Sequence, residues 1–411
     1  MKILWVKPGK LLPLDTGGKL RTYNIVRHLA TAHELTYLSY YKGRKDDAYE
    51  REVQRELPGT VTVAAGKDAP TGAGRHLDYL LHVGSPAPYA VSQFVDPQVK
   101  GLLRAWIPQR RFDVAVCDFL SSTLNFPDRL ETPTALFQHN VESVLWKRKA
   151  EVESSWLGRA VFRLEYSKMK RFEPEQVRRF HHVIAVSEAD RAAMNAMVDP
   201  SHISVVPTGV DLRKYPYDPE SRPSGPLVVF TGSMDWQPNI DGVEFFCREI
   251  WPLVLARVPG ARFRIVGRDP HPRVHGLASG SVEVTGTVPS IVEHLRAAAV
   301  FVVPLRIGGG TRIKIYEGMA MGKATVSTTI GAEGLDVQHG RDIRLEDSPA
   351  AFAEAVVTFL SNEEVRRRYE AAAAATAGKY DWSVITQRFV EVLERTIATA
   401  QGRPAPAAAH A

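Results

Sequence analysis

The chain has 411 residues, of which 44% are hydrophobic and 24% are charged, and its formal net charge is +6. This is the ordinary composition of a soluble globular protein, and the length predicts two domains. The longest uncharged apolar run, Ala297–Leu305, is far below the ~20 residues of a membrane-spanning helix. The two cysteines, Cys117 and Cys247, form no disulfide or zinc pattern and Met1–Val6 is too short for a signal peptide, so we expect a cytoplasmic protein.

The first predicted strand, Lys2–Val6, leads through a loop rich in proline and glycine to a predicted helix over Lys19–Ala30. Gly17 and Gly18 stand directly before that helix. Because glycines at a helix N-terminus let the backbone and its free N–H groups come close to a ligand, this turn is a candidate binding loop. The alternative is an ordinary strand-to-helix turn.

Short apolar runs alternate with helical patterns up to residue 213, which is typical of a parallel sheet covered by helices. The further predicted strands are 34–40, 60–65, 113–117, 134–137, 183–186 and 203–206. Asp118 and His139 follow two of these strands, and in such sheets ligands bind beyond the carboxyl ends of the strands. We therefore expect both side chains to face a ligand. The alternative for His139 is a cap on the helix that follows it.

The excess of positive charge lies in this first part of the chain. Up to Arg213 there are 30 basic and 24 acidic residues, and ten of the basic ones lie between Lys147 and Arg179. This pattern predicts peripheral association with an anionic inner-membrane surface, or attraction to a lipid-linked diphosphate acceptor. The alternative is a solvated helical face on which five glutamates balance the basic residues. Nucleic acid is not expected as a partner, because no recognition motif or aromatic platform occurs.

A segment with four prolines, Tyr215–Pro226, predicts a linker. The predicted boundaries are therefore an N-terminal domain over 1–213, a linker over 214–226 and a C-terminal domain over 227–380. The second domain opens with a strand that ends before Gly232 and Ser233. Arg268 follows the next predicted strand and is a candidate contact to a phosphate or a base.

The most informative stretch begins with Val300–Leu305, an apolar run that predicts a buried strand. Three glycines and a threonine follow at 308–311, and a helix is predicted to open near Arg312. Arg312 and Lys314 are cations in a first turn, where the helix dipole disfavours them by a few tenths to about 1 kcal/mol. An anionic ligand such as a diphosphate would compensate for this cost. Glu317 is the lone acid in the helix and is suited to accept hydrogen bonds from a vicinal diol.

Several nucleotide-binding motifs are missing from the sequence. No Gly-x-Gly-x-x-Gly occurs, which argues against a dinucleotide dehydrogenase, and the nearest approach to a P-loop, Gly318–Lys323, is too short and is not followed by Ser or Thr. No two aspartates stand two positions apart, so a metal-holding Asp-x-Asp is missing. We therefore expect neither a metal nor a cofactor, with Arg312, Lys314 and helix dipoles neutralising a departing diphosphate.

The stretch over 300–335 resembles the retaining nucleotide-sugar glycosyltransferases of family 4, which have the α/β GT-B fold. The shared features are a proline-ending strand, a glycine loop, a helix containing Glu317–Ala320 and the later segment Gly331–Leu335. The resemblance implies two Rossmann-like domains facing a deep interdomain cleft, a C-terminal helix over 381–397 that returns to the first domain, and a disordered tail over 398–411. It also implies transfer of a hexose from a UDP- or GDP-sugar to a polysaccharide or lipid-linked glycan acceptor.

The resemblance also assigns roles to single residues. It places His139 near the transferred sugar and makes Glu317 the equivalent of the second family glutamate. Family members often carry an Arg and a Lys after the first strand of the second domain, but this chain has Ser233 there and no Lys in 237–242. We therefore expect Arg312 and Lys314 to supply that charge as catalytic contacts to the donor. The implied donor-binding residues are Gly17, Gly18, Gly232, Ser233, Arg268, Val288, Gly309, Gly310 and Thr311. One departure concerns the sugar: most members carry two glutamates eight positions apart, and Gly309 stands where the first would be. The contact of that glutamate to the sugar is then missing or replaced by backbone N–H groups.

Two alternatives remain open at this point. A GT-B nucleotide-sugar epimerase would turn over its nucleotide sugar with no acceptor present and would need further acids. A non-catalytic nucleotide-sugar-binding protein would bind the donor without transfer or hydrolysis, and the departure at Gly309 is compatible with it.

Overall fold

The computed structural model describes residues 1–65, 73–109, 111–308 and 311–403 of the chain. The chain divides into two compact units, of which the first comprises Met1–Pro207 with Ile385–Ala411 and the second comprises Thr208–Val384. The segment predicted as a linker over 214–226 thus belongs to the second unit, and the division lies before the predicted boundary at 213. The reason is a set of contacts distant in sequence: Val210 forms a β-bridge with Asp381, and Tyr215 is buried.

In the described part of the chain, the first unit is built on a seven-stranded sheet whose paired strands are parallel. Its strands are β1 (Lys2–Pro8), β2 (Glu34–Tyr41), β3 (Thr60–Ala64), β4 (Val114–Asp118), β5 (Thr134–Phe137), β6 (His182–Ala185) and β7 (Ile203–Val205). The order in the sheet is β3-β2-β1-β4-β5-β6-β7. The strand order therefore reverses at β1 and β4, the kind of position where open α/β sheets bind ligands.

Helices connect these strands. They are α1 (Gly17–Leu29), α2 (Asp47–Glu56), α3 (Ala73–His82), α4 (Tyr89–Ser92), α5 (Pro97–Trp106), α6 (Glu142–Val152), α7 (Trp156–Arg179) and α8 (Glu188–Met194), with 3₁₀ turns at Leu120–Asn125 and Pro200–His202. The main core of the unit is formed by the buried faces of strands β1, β2 and β4–β6 and of the helices packed on them.

The second unit is built on a six-stranded parallel sheet, as far as the chain is described. Its strands are β8 (Leu227–Thr231), β9 (Arg262–Val266), β10 (Val282–Val284), β11 (Val300–Val303), β12 (Ala324–Ser327) and β13 (Arg344–Leu345). The order is β10-β9-β8-β11-β12-β13, which reverses at β8 and β11. Both strands at the reversal are fully buried, as their continuous apolar runs predict.

The helices of the second unit lie between these strands and after them. They are α9 (Gln237–Phe245), which continues through a π-helical turn (Phe246–Ile250) into α10 (Trp251–Arg257), then α11 (Pro272–His275), α12 (Val292–Ala297), α13 (Ile313–Ala320), α14 (Pro349–Ser361) and α15 (Glu363–Gly378).

The last helix, α16 (Trp382–Ala400), returns to the first unit, as predicted. Phe389 stacks on Trp5 with ring centroids 5.3 Å apart and meets Phe137 edge-on at 5.2 Å. The helix continues to Ala400, so residues 398–400, predicted as part of a disordered tail, are helical, and 404–411 lie outside the described residues. None of the described helices is long and apolar enough to cross a membrane.

Candidate functional site

The predicted glycine–basic turn joins β11 to α13 in the second unit. Gly309 and Gly310 lie outside the described residues, so the structure does not test these two predicted contacts. Gly308 has a φ of 113°, in the left-handed region that favours glycine. A Cβ atom at Gly308 would lie 2.7 Å from Nη2 of Arg312. The turn therefore brings the backbone directly against the guanidinium group.

Arg312 occupies the N-cap position of α13 and is buried, with 5% of its surface exposed. The carbon of its guanidinium group lies 5.3 Å from the centre of the Trp236 ring, a cation–π geometry. The side chain thus turns into the second unit at the start of α13 and does not point into bulk water. Thr311 directly precedes it and is partly buried.

Lys314 lies in the first turn of α13 and reaches the carboxyl end of β8. Its Nζ donates to Oδ1 of Asn239 at 3.0 Å and lies 4.3 Å from the centre of the Phe230 ring. A Cβ atom at Gly232 would lie 2.7 Å from this Nζ, so the absence of a side chain at Gly232 lets the ammonium group sit there. Burial and then the charge of Arg312 lower the pKa of Lys314 to about 7.

Two further predicted residues, Ser233 and Arg268, follow the carboxyl ends of β8 and β9. Nε of Arg268 donates to Oγ of Ser233 at 2.9 Å, and Ser233 in turn donates to Asp235 at 2.5 Å. Nδ2 of Asn239 donates to the backbone oxygen of Ser233 at 2.8 Å, which links the pair to Lys314. The Arg268 side chain is about half exposed, so its remaining donors can reach a ligand.

Glu317 lies one turn further along α13, and its carboxylate accepts a hydrogen bond from the hydroxyl of Tyr215 at 2.9 Å. Burial raises the pKa of Glu317 despite this bond. The hydroxyl of Tyr215 therefore orients the carboxylate that the sequence singles out. Val288, by contrast, lies in the loop between β10 and α12 and is partly exposed.

His139 follows β5 in the first unit and is 4% exposed. Its Nε2 lies 2.6 Å from Oδ1 of Asp118, and its Nδ1 lies 2.7 Å from Nη1 of Arg21. Because a guanidinium group only donates hydrogen bonds, Nδ1 must be the acceptor and Nε2 must carry the proton. His139 is therefore the neutral tautomer, consistent with burial lowering its pKa to about 4.

Asp118 is the fully buried centre of this network. Its Oδ2 accepts hydrogen bonds from Nε1 of Trp5 at 3.0 Å and from Oγ1 of Thr22 at 2.7 Å. Burial by itself raises the pKa of Asp118, but His139, the positive charge of Lys7 and the bond from Thr22 offset this, so its pKa lies below the usual range. An ionised Asp118 then orients the His139 ring.

Phe119 packs against the other side of the network. Its ring stacks on His139 with centroids 3.9 Å apart, and its φ of 71° is unusual for a residue other than glycine. A Cβ atom at Gly18 would lie 2.8 Å from Cζ of Phe119. The Phe119 ring thus fills the space that a side chain at this position would need, whether or not a ligand binds. Gly17 is exposed as the first residue of α1.

The structure thus groups the predicted residues by unit. Gly18, His139 and Asp118 meet in the first, and Gly232, Ser233, Arg268, Arg312 and Lys314 meet in the second. Sequence reasoning missed Arg21, although a cation in line with Ile25 and Leu29 on the buried face of α1 is a detectable signal. It also missed Asn239 and Tyr215; Tyr215 gave no signal, since it lies in the proline-rich segment.

Within the described ranges, no group of three or more His, Cys, Asp or Glu side chains is arranged to hold a metal ion. Three cations, Arg268, Arg312 and Lys314, lie in this part of the second unit, together with the carboxylates of Asp235 and Glu317. This arrangement suits an anion with several oxygens, such as a diphosphate.

Two family models match the chain. Residues 16–214 match "Glycosyltransferase Family 4", and residues 225–362 match "Glycosyl transferases group 1". An uncharacterized 44.6 kDa protein in the cps region of Klebsiella pneumoniae is 22% identical over 88% of this chain and 91% of its own length. The phosphatidyl-myo-inositol mannosyltransferase of Mycobacterium tuberculosis is 30% identical over 51% of this chain, and the match spans 58% of that enzyme.

Solved structures are similar over nearly the whole chain. The Anabaena protein HepE, in complex with UDP and glucose, has a TM-score of 0.64 at 16% identity and covers 96% of this chain and 99% of its own. Sucrose-phosphate synthase from Thermosynechococcus elongatus has a TM-score of 0.69 at 14% identity and covers 97% and 100%. These likenesses establish the GT-B fold. The two family models, which between them match most of both units, show that the chain belongs to the group 1, family 4 glycosyltransferases.

Proposed function

We propose that the protein is a retaining, metal-independent glycosyltransferase that moves a hexose from a nucleoside-diphosphate sugar to a polysaccharide or lipid-linked glycan. The observation that carries this proposal is the inward position of Arg312 and Lys314 at the start of α13, beside Gly232. Support also comes from the family, from the mannosyltransferase name of a relative, and from the UDP bound to HepE.

The electrostatics of the second unit favour an anionic donor. Within the described residues, no carboxylate lies within ion-pair distance of the Lys314 ammonium group, and the nearby acid, Glu317, already accepts a bond from Tyr215. A partly buried cation without an anion is unfavourable, as its lowered pKa reflects. A diphosphate would supply the missing negative charge.

The chemistry follows from these placements. In a retaining transfer the acceptor hydroxyl attacks on the face from which the diphosphate departs, and we assign its proton to a phosphate oxygen of the leaving group. Arg312 and Lys314 stabilise the charge that develops on that diphosphate, the role of preorganised donors in a low-dielectric site. Glu317, held by Tyr215, accepts hydrogen bonds from a diol of the donor.

His139 does not transfer a proton in this scheme. Both ring nitrogens are engaged, by Asp118 and by Arg21, and a pKa near 4 keeps the ring neutral at physiological pH. We assign it a positioning role at the carboxyl end of β5, where it holds the Arg21 guanidinium group and the Phe119 ring in place.

The test is a panel of UDP- and GDP-sugars incubated with purified protein, with and without a chelator. We expect slow hydrolysis to release nucleoside diphosphate from one donor, undiminished by the chelator, and we expect NMR to show that the sugar freed from an α-linked donor is initially the α anomer. An epimerase would instead convert the nucleotide sugar without releasing diphosphate. Binding of a donor without any turnover would indicate a non-catalytic protein. Loss of activity with the chelator would show that the reaction requires a metal ion.

We also propose a cytoplasmic location with peripheral membrane association. The sugar donors of this proposal are cytoplasmic metabolites, and a lipid-linked acceptor would lie at the membrane surface. The excess of basic residues in the first part of the chain supports that association.

A further inference from the structure

One outer face of α7 carries large apolar side chains that are exposed among the residues the structure describes. Exposed positions recur every three or four residues along this helix: Trp156, Leu157, Ala160, Arg163, Leu164, Ser167, Lys170 and Arg171. We call these residues the α7 face. Its opposite side packs in the core of the first unit through Met169, Phe172 and Val177. The helix is therefore anchored by one side and presents the other to solvent.

The beginning of the α7 face is strongly apolar. Trp156 is 80% exposed, although tryptophan is usually among the better buried side chains, and Leu157 is 59% exposed. Val152, at the end of the preceding helix α6, is 79% exposed. Exposed apolar residues this closely spaced indicate a surface that meets another apolar phase.

A second group of exposed apolar side chains lies on α3, which is bonded to the middle of α7. Nζ of Lys168 donates to the backbone oxygen of Val83 at 2.8 Å, and Tyr79 donates to Glu165 at 3.3 Å, so α3 is fastened to α7. Leu80 and Leu81, which follow Tyr79, are 63% and 76% exposed. Of the large apolar side chains exposed in the described chain, the most exposed thus lie on α3, α6 and α7.

Positive charge surrounds these apolar residues. Between Lys147 and Leu164 there are five basic residues and two glutamates, and Lys170 and Arg171 continue the α7 face. A helix that lies in a membrane interface typically carries tryptophan and leucine beside lysine and arginine. Its apolar side chains enter the boundary of the acyl chains, and its cations contact the anionic headgroups.

We propose that the α7 face, with Val152, Leu80 and Leu81, is a docking surface for an anionic lipid bilayer. The charge selects this occupant over a second copy of the chain, because a two-fold contact would place the basic rims of both copies against each other. The proposal deepens the membrane association within the proposed function, but it depends on no step of sugar transfer.

Vesicle co-sedimentation tests the proposal with the full chain. We expect binding to vesicles that contain phosphatidylglycerol, weaker binding to pure phosphatidylcholine, and a decrease as salt is raised. The double variant Trp156→Ser/Leu157→Ser should lower the partition constant about tenfold or more, since it removes both apolar anchors. Lys147→Glu/Lys149→Glu should lower it by a similar factor on anionic vesicles only.

Matched controls separate this effect from general changes in folding and charge. Leu253→Ser removes an exposed leucine from α10 in the second unit, and Arg51→Glu reverses an exposed charge on α2; neither should alter binding. All variants should keep the far-UV circular dichroism spectrum and the donor affinity of the natural chain.

Three results would overturn the docking surface. One is binding to vesicles that the Trp156→Ser/Leu157→Ser variant leaves unchanged, and another is no binding at any lipid composition. The third is a concentration-dependent dimer that the same variant abolishes, which would assign the face to a second copy. Vesicle binding by a protein that shows no sugar transfer would instead refute the proposed function and leave this surface intact.

Discussion

Arg312 differs from the other arginine of its loop in where its side chain lies. Arg312 is buried under Trp236, whereas Arg306 is exposed and pairs with Asp241 at 2.7 Å. We expect Arg312→Ala to lower kcat/KM by an amount equivalent to roughly 2–4 kcal/mol, the cost of removing one preorganised donor from a developing charge. Arg306→Ala is the matched control and should change kcat/KM by less than about threefold. Steady-state kinetics gives both values, with the donor identified among the UDP- and GDP-sugars. Equal activity of Arg312→Ala and the natural chain would show that Arg312 does not stabilise the departing diphosphate.

Lys314 should make donor binding depend on pH. Its pKa of about 7 in the free protein rises when an anion binds, because the negative charge stabilises the ammonium form. Affinity then falls by up to tenfold per pH unit above about pH 7, until the pKa of the complex is reached. Calorimetric titration of nucleoside diphosphate across this range measures the slope. Lys314→Gln should bind more weakly at pH 6 to 7 and show a flatter profile, and a natural chain whose affinity rises with pH would contradict the argument.

At the scale of the helix, the glycine at position 18 of α1 has two explanations, packing against Phe119 and contact with the ligand, which an experiment can separate. The Phe119 ring occupies the space of a Cβ atom at Gly18, whereas at Gly101, an exposed position inside α5, nothing lies within 4 Å of such an atom. We expect Gly18→Ala to lower the free energy of unfolding by about 1–3 kcal/mol through overpacking. Gly101→Ala should raise it by about 0.5–1 kcal/mol, because alanine favours a helix.

Urea denaturation measures both changes, with donor affinity as the second readout. A Gly18→Ala protein of unchanged stability but weakened donor binding would restore the ligand-contact explanation for this glycine. If both stability and affinity are unchanged, the Phe119 ring moves aside and neither explanation holds.

Elements with a strong local pattern could be predicted from the sequence, and residues joined by distant contacts could not. The apolar runs of β8 and β11 predict buried strands, and the glycine and threonine run predicts a helix that begins near Arg312. The structure has both strands and the start of α13 there. Tyr215 sits among prolines that indicate a linker, yet its hydroxyl reaches Glu317 across a large separation in sequence. No local sequence pattern predicts a hydrogen bond between residues so far apart in the chain.

The same reasoning explains the unit boundaries. The bridge between Val210 and Asp381 assigns the segment after Pro207 to the second unit, although its composition resembles that of the linker. In the candidate site, Arg312 and Lys314 could be predicted as ligand contacts from the sequence, because cations are unusual in a first helical turn. Their partners, Trp236 and Asn239, follow a different strand and depend on the sheet order.

At the scale of the whole molecule, Arg268, Arg312 and Lys314 all lie within Thr208–Val384. Donor binding should therefore protect the amides of the second unit, and not those of the first, from hydrogen exchange. We expect nucleoside diphosphate to slow amide hydrogen exchange in α13 and in the loop after β8, where Lys314 and Asn239 meet, while β2 and β3 of the first unit exchange as before. At a ligand concentration of 100 Kd the protection of globally exchanging amides approaches about 2.7 kcal/mol. The protection should be identical with a chelator or with added Mg²⁺, because in the proposed mechanism protein cations, and not a metal, neutralise the phosphates. Protection that appears only with Mg²⁺ would show that the buried guanidinium and ammonium groups are insufficient to bind the diphosphate.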